Sequence, residues 1–175
     1  MHFARGTLTW TPATEHLDLL ALPVAAAIAG VPDALVAPID ADLADTAAFC
    51  DAYDVALEAS ANCVVVAGRR GDTTRYAAVL VRATDRADIN NVVRRRLDVR
   101  KISFAPHDDA VRLTGMEFGG ITPIGLPRGW PILVDAAVAD LEEAVIGSGL
   151  RRSKLLVSGT TLAALPDAEV LDLTR

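Results

Sequence analysis

A glycine-rich segment, TGMEFGGITPIGLP, is the stretch of this sequence best suited to chemistry. Three glycines fall within Gly119–Gly125, and glycine permits positive φ and close approach of another group to the backbone. Pro123 fixes its own φ and restrains Thr122 to extended geometry. A stiff loop over Gly115–Gly125 therefore exposes N–H groups that can hold a carbonyl oxygen or a developing oxyanion. The same composition also fits a plain structural corner.

Other chemical motifs are absent from the sequence or weak. It contains neither the phosphate-binding pattern GxxxxGK[ST] nor a GxGxxG turn after a strand, and it lacks GxSxG. His2 and His16 lie in the N-terminal region, and His107 starts a predicted helix, so no Ser-His-Asp set is indicated. Cys50 and Cys63 stand alone without metal-ligand spacing, which predicts free, buried thiols. We therefore expect no metal and no cofactor.

The region around the loop resembles a known family. Lys101–Pro127, KISFAPHDDAVRLTGMEFGGITPIGLP, is similar to the YbaK-like prolyl-tRNA editing and aminoacyl-tRNA deacylase domains. Members carry a strand, a helix ending in TG and a GG-[IV]-[ST]-P-x-G loop. A strand ending in Asp follows, as in Pro131–Asp135 here, and then a Ser- and Gly-containing strand with a basic segment, as in Ile146–Arg151. The resemblance covers roughly Leu43–Leu173.

The resemblance implies a trans-acting editing hydrolase that deacylates mischarged tRNA, with the tRNA acceptor end as partner. The loop amides would hold the aminoacyl carbonyl, and water or the tRNA's own terminal hydroxyl would replace a side-chain nucleophile. The predicted catalytic residues are Gly119, Gly120, Thr122 and Gly125. The predicted substrate-binding residues are Asn62, Lys101, Ile121, Pro123, Asp135, Ser148, Gly149, Arg151 and Lys154. Met116, Phe118, Ile121 and Trp130 are further candidates for the pocket wall.

The sequence departs from the family at one functional position. Family members carry a lysine at the start of the strand after their first helix, where the ammonium contacts substrate and phosphate. That position falls at Ala61 or Asn62 here, and neither is cationic, although the Asn62 amide can still donate a hydrogen bond. Arg151, Lys154 and Lys101 are candidate replacement cations, with solvated surface charge as the alternative for each.

The sequence leaves the roles of Asp135 and of several arginines open. Asp135 could orient a substrate amine or cap the helix that follows it. Arg94–Arg96 form either a solvated face or a weak RNA-contact stripe, and Arg152 fits a solvated charge.

The missing lysine leaves a second function open. The chain could be a non-catalytic module that binds the tRNA end or an aminoacyl nucleotide. A hydrolase of small esters is a third possibility.

The spacing of apolar residues and the positions of Gly and Pro predict the strands and helices that must position these residues. Strands are predicted at Thr7–Trp10, Ala34–Ile39 (an edge strand because of Pro38), Cys63–Ala67, Tyr76–Val81, Lys101–Ala105, Pro131–Val134, Val145–Gly147 and Lys154–Val157. Helices are predicted at Asp18–Ile28, Ala44–Tyr53, Ile89–Leu97 capped by Asp88, Pro106–Gly115, Ala136–Glu143 and Thr160–Leu165. Strand pairs alternate with helices, which predicts an α/β (α+β) fold with a mixed, partly barrel-like sheet flanked by helices.

Length and charge bound the remaining possibilities. The 175 residues fit one domain, 1–175, and 51% hydrophobic residues suffice for a core. A net charge of −6 argues against a general nucleic-acid coat but permits a local basic patch. No apolar run approaches the ~18 residues of a membrane span. We expect a cytoplasmic protein with no membrane partner, as a monomer or homodimer.

Overall fold

Two β-sheets pack face to face in the computed structural model of this chain, which describes residues 4–174. The strands, in chain order, are β1 (Thr11–Pro12), β2 (Leu35–Pro38), β3 (Ala61–Arg70), β4 (Thr73–Arg82), β5 (Lys101–Phe104), β6 (Ile132–Asp135), β7 (Ala144–Gly147), β8 (Ser153–Val157) and β9 (Ala168–Leu171). The α-helices are α1 (Leu22–Ala27), α2 (Thr46–Tyr53), α3 (Arg94–Arg96), α4 (His107–Thr114), α5 (Ala136–Ala139) and α6 (Gly159–Ala163).

The sheets differ in strand direction. The smaller sheet has the order β1-β2-β8-β7, and all its pairs are antiparallel. The larger has the order β5-β3-β4-β6-β9, with β3 antiparallel to β4 and β5 but β6 parallel to β4 and β9. Within residues 4–174 a single bridge, Ser60 to Val145, joins the sheets, which do not close into a barrel. The predicted mixed fold flanked by helices is confirmed.

Strand alternation divides the apolar residues among three clusters. Leu80 and Ile146 point between the sheets and pack against α1. On the outer face of the larger sheet, Val66 packs under the helix that ends in α3, and on the outer face of the smaller sheet Leu156 packs under Phe49 of α2. Helical segments therefore cover the outer faces of both sheets, while α1, α5 and α6 contribute to the cluster that contains the facing sides of the sheets.

Local sequence accounts for the helix that precedes the loop. Pro106 is the N-cap of α4, and Asp108 and Asp109 occupy the first turn, where carboxylates complement the macrodipole. Gly115 ends the helix with φ +68°, the left-handed conformation that glycine adopts most readily. At the preceding helical segment, Asp88 accepts a hydrogen bond from the Asn91 N–H, as the predicted cap requires.

Several sequence predictions were wrong in detail. Thr7–Trp10 is not a strand, because the Thr7 N–H donates to the Tyr53 carbonyl and the Leu8 N–H donates to the Arg5 carbonyl instead of pairing with a neighbouring strand. The predicted helix Asp18–Ile28 divides into a 3₁₀ turn, α1 and a second 3₁₀ turn. β2 is not at the edge, because β1 covers it.

The remaining differences lie toward the C-terminus. The predicted helix over residues 136–143 is only α5, and β9 was missed because the prediction stopped at Pro166. Ile89–Val93 is wound as a π-helix ahead of α3, so the predicted helix over residues 89–97 is present in an altered form.

Candidate functional site

A cavity of about 530 Å³ opens between the two sheets beside the glycine-rich loop. β5 covers only the second half of β3, so the first half, from Ala61 to Val65, is left as a wall. The start of α2 and Phe49 form a second side, and the end of β7 forms a third. Phe118, Gly119 and Ile121 of the loop complete the lining. The volume is that of a small-molecule site.

Two loop residues that line this cavity carry unused N–H groups. Gly119 has φ +90°, which favours glycine. The Gly120 N–H donates to the Glu117 carbonyl and the Thr122 N–H approaches the Met116 sulfur, 3.5 Å away. Among the described residues, no acceptor lies within hydrogen-bond distance of the Gly119 or Ile121 N–H. These two donors are therefore available to a carbonyl oxygen.

A second segment holds the loop in place. The Gly149 N–H donates to the Gly120 carbonyl at 2.7 Å, and the Arg151 N–H donates to the Glu117 carboxylate at 2.7 Å. The Arg151 guanidinium reaches the Phe118 and Ala41 carbonyls. A Cβ on Gly120 would lie 2.7 Å from the Leu150 carbonyl oxygen, so the loop packs this closely only because residue 120 is glycine.

Ser148 belongs to the same supporting segment. It is fully buried and donates to the Leu150 and Ser153 carbonyls. Ser148, Gly149 and Arg151 were predicted substrate contacts, but none of them lines the cavity. Gly149 and Arg151 bond directly to the loop, and the hydrogen bonds of Ser148 fix the segment that carries these two residues.

Lys154 is the cation that the fold brings to the cavity. It lies in β8 opposite Gly147 and is only 7% exposed. Its Nζ donates to the Ala44 carbonyl at 3.1 Å and lies 5.1 Å from the centre of the Phe49 ring. No other acceptor for the ammonium is found in the described chain, so donor capacity remains for a substrate.

Burial makes Lys154 a weaker base than a solvated lysine. Burial lowers the pKa of its ammonium below the ordinary value, and Arg151 lowers it further. The nearby Cys50 and the exposed Asp45, which also lines the cavity, raise it. An anion bound in the cavity would favour the ammonium in the same way.

The wall formed by β3 carries polar groups of a different kind. The Thr46 hydroxyl donates to Asn62 Oδ1 at 2.7 Å, and within residues 4–174 the Asn62 amide nitrogen has no acceptor. Cys63 also lines the cavity, and burial raises the pKa of its thiol to about 12. Burial likewise raises the pKa of Cys50, whose sulfur lies 3.4 Å from Ser60 Oγ. Neither cysteine is thus a thiolate at neutral pH.

Four predicted residues of the loop and its surroundings lie outside the cavity lining. Gly120, Thr122, Pro123 and Gly125 are in the loop but do not face the cavity. Thr122 is fully buried, and a Cβ on Gly125 would lie 2.5 Å from the Pro23 carbonyl.

Two predicted charged residues also lie elsewhere. Lys101 is exposed at the far end of β5, opposite Arg69. Asp135 is 3% exposed and accepts hydrogen bonds from the Ala137 and Leu173 N–H groups. Asp135 is thus the helix cap, which was one of the two sequence interpretations. Of the other candidate wall residues, Met116 is buried in the core and Trp130 stacks on Tyr76 outside the cavity.

Sequence reasoning missed much of the lining. Asp45, Thr46 and Phe49 come from the start of α2, and Phe104 comes from the end of β5. In the sequence these residues marked only the start of a helix and the end of a strand, and no pattern indicated a binding site. Over the described range, no group of three metal-ligating side chains is present, and no helix is long and apolar enough to cross a membrane.

The chain is similar to known proteins in sequence and in fold. The model of the aminoacyl-tRNA editing domain family matches residues 40–165. A candidate trans-editing enzyme for prolyl-tRNA synthetase superimposes with a TM-score of 0.76 at 22% identity, covering 89% of this chain and 96% of that one. A hypothetical protein, APE2540, superimposes with a TM-score of 0.77 at 19% identity, covering 87% and 99%.

The family match extends over most of the chain, including the loop and the cavity walls. The protein belongs to the aminoacyl-tRNA editing domain family. The structural matches show that the fold is shared.

Proposed function

We propose that this protein is a trans-acting hydrolase that removes the amino acid from mischarged tRNA. The observation that carries the proposal is the pair of unused N–H groups at Gly119 and Ile121 in a cavity that also holds Lys154. The carbonyl group of an aminoacyl ester is uncharged in the ground state and develops negative charge on its oxygen during hydrolysis. Fixed N–H donors stabilise that charge most where water is excluded.

The reaction needs no side-chain nucleophile in this arrangement. Water attacks the ester carbon, the carbon–oxygen bond to the ribose breaks, and the ribose oxygen takes the proton. The products are the free amino acid and a tRNA with an intact terminal hydroxyl. The raised pKa values of Cys50 and Cys63 support this mechanism, because neutral thiols are poor nucleophiles.

Lys154 supplies the positive charge that the start of β3 lacks. Its ammonium lies in the lining shared with Asn62, and the supporting contacts from Ala44 and Phe49 orient it. We propose that it contacts the anionic part of the substrate, either the terminal phosphate or the developing oxyanion. Asn62 would donate a neutral hydrogen bond from the opposite wall.

The aminoacyl group and terminal ribose would fill the cavity, leaving the rest of the tRNA outside. This arrangement makes the tRNA acceptor end the partner and the cytoplasm, where charged tRNA is used, the place of action. The carboxylate of the exposed Asp45 lines the cavity and has no hydrogen-bond partner in the described chain, so it is available for the substrate's α-ammonium.

The test is the release of radiolabelled amino acid from a full panel of mischarged tRNAs by purified protein. We expect release from at least one mischarged species and none from correctly charged tRNA of the same acceptor. No release across the panel would refute the hydrolase.

A second candidate function, a non-catalytic binding module, is favoured by one observation. The start of β3 carries Ala61 and Asn62 where family members have a lysine, and Thr46 already occupies the Asn62 oxygen. Binding of an aminoacyl-adenosine analogue without turnover of any charged tRNA would support the module. Turnover of generic esters alone would indicate the small-ester hydrolase instead.

A further inference from the structure

The positive charges of this acidic protein are concentrated at one end of the larger sheet. That end contains the β3–β4 turn and the starts of β5 and β6. Nine of the 17 basic residues lie there, and we call them the basic end: Arg69–Arg70, Arg75, Arg94–Arg96, Arg100–Lys101 and Arg128.

The acidic residues have the opposite distribution. Only four of the 23 acidic residues, Asp72, Asp98, Asp167 and Glu169, share this end. Nine positive and four negative charges leave +5 here, against −6 for the whole chain. The remaining surface is therefore strongly negative, and a polyanion would be directed to this end.

The strand pairings bring these cations together. Lys101 pairs with Arg69, and the Arg100 N–H donates to the Arg69 carbonyl at 2.9 Å. Arg75, Arg96 and Arg128 line one depression of about 560 Å³ at the start of β4.

Most of these charges are not neutralised within the protein. Arg70 is paired with Asp98 at 2.6 Å, and Arg96 is paired with Glu169. Among the described residues, the other seven have no acidic partner within ion-pair distance, and all of them except the half-buried Arg94 are exposed. Exposed guanidinium groups on two adjoining elements are suited to a row of phosphates.

We propose that the basic end binds the phosphate backbone of the duplex stem of an RNA whose 3′ end occupies the cavity. This inference rests on the proposed function. β3 runs from the cavity wall at Asn62 to the basic end at Arg69, a span of about 24 Å at ~3.4 Å per residue. Nucleotides stacked in an A-form RNA strand advance by roughly 3 Å each, slightly less than in B-form DNA, so the basic end lies about eight nucleotides from the cavity. A three-nucleotide end cannot reach it, whereas a stem of several base pairs can.

The test compares two substrates and two variants. The double variant Arg69→Glu with Arg95→Glu reverses two exposed charges of the basic end that have no acidic partner. Arg86→Glu is the control, because Arg86 is an exposed arginine beyond the opposite end of β4. Binding of an uncharged stem-and-overhang RNA is measured by fluorescence anisotropy across salt concentrations, and circular dichroism checks the fold.

The expected binding result is specific to the basic end. The double variant should bind the RNA about tenfold more weakly at 0.1 M salt, with a log–log salt slope shallower by about 2. Arg86→Glu should bind within about twofold of the original protein. A double variant with glutamine in place of glutamate should bind the RNA with an affinity between those of the glutamate variant and the original protein. This variant tests whether glutamate itself disrupts the local structure.

A hydrolysis assay distinguishes failure of the RNA-docking proposal from failure of the proposed hydrolase function. The double variant should lower kcat/KM for the charged stem RNA through KM, and it should leave hydrolysis of a charged three-nucleotide fragment unchanged. Unchanged RNA binding and salt slope in the double variant would overturn the basic end as the docking surface. So would an equal loss in Arg86→Glu, or equally tight binding of a DNA duplex or an acidic peptide. Because the binding arm uses uncharged RNA, it decides the proposal even if the protein hydrolyses nothing.

Discussion

Replacing Lys154 with methionine should make the protein more stable and less active. Methionine has a similar length and no charge, so it can occupy the same position beside the Phe49 ring of α2. Lys154 as a residue is 7% exposed, and taking its charge out of water costs several kcal/mol. A substitution that raises stability while it removes activity is the expected behaviour of a functional buried charge.

The magnitude follows from the contacts of the ammonium. Its hydrogen bond to the Ala44 carbonyl contributes about 1.5–3 kcal/mol. Its contact with the Phe49 ring contributes about 1–2 kcal/mol. These gains nearly offset the desolvation cost, so we expect Lys154→Met to increase the free energy of unfolding by about 1 kcal/mol. For a chain of this size that corresponds to a rise of about 2–4 °C in Tm.

The effect on hydrolysis should be larger than the effect on stability. Loss of one charged contact that strengthens in the transition state reduces kcat/KM by about 100-fold, or ~2.7 kcal/mol. The assays are thermal unfolding and release of amino acid from mischarged tRNA. Arg152→Met is the matched control, since Arg152 is an exposed cation two residues earlier, and it should change neither quantity appreciably. Full activity in Lys154→Met would refute the role of this ammonium, and a large loss of stability would refute the desolvation argument.

Three further changes test other parts of the site. Gly120→Val should abolish hydrolysis, because its Cβ would lie 2.7 Å from the Leu150 carbonyl and displace the loop; intact activity would exclude the loop. Asn62→Lys should not raise the rate, because Lys154 already supplies the cation; a gain of activity would favour the binding module. Burial lowers the pKa of Lys154 in the folded protein below its unfolded value of 10.5. Between the folded and the unfolded pKa, the unfolded chain therefore binds more protons than the folded protein does. The free energy of unfolding should therefore rise with pH in this range, relative to that of Lys154→Met. Both proteins contain Cys63, whose raised pKa has the opposite effect, so the comparison cancels it. Parallel pH curves for the two proteins would contradict the lowered pKa of Lys154.

The elements that local signals specify were predictable from the sequence. The β3–β4 hairpin follows from apolar runs on both sides of a Gly-Asp turn, and α4 follows from Pro106 and Gly115. β9 was not predictable in the same way, because its pairing with β6 supplies the order that its short sequence lacks. Thr7–Trp10 was predicted to be a strand but is not one. Its alternating residues fit a strand, yet no neighbouring strand pairs with the segment.

The candidate site was predictable only in its local part. The loop and its glycines are contiguous in the sequence, and Gly119 and Ile121 do face the cavity. Lys154 was one of several candidate cations, and only the pairing of β8 with β7 places it there instead of Arg151 or Lys101. Asp45 and Phe104 come from elements nearly 60 residues apart, so their meeting depends on tertiary packing that no local pattern records.

The central claim is that the loop and Lys154 act together on an aminoacyl carbonyl in this cavity. The most direct measurement is a crystal structure with a non-hydrolysable aminoacyl-adenosine analogue whose ester is replaced by an amide. We predict that its carbonyl oxygen lies within about 3.2 Å of the Gly119 or Ile121 N–H and that Lys154 contacts the bound molecule. An analogue bound away from this cavity, or bound there with its carbonyl directed away from the loop, would contradict the account.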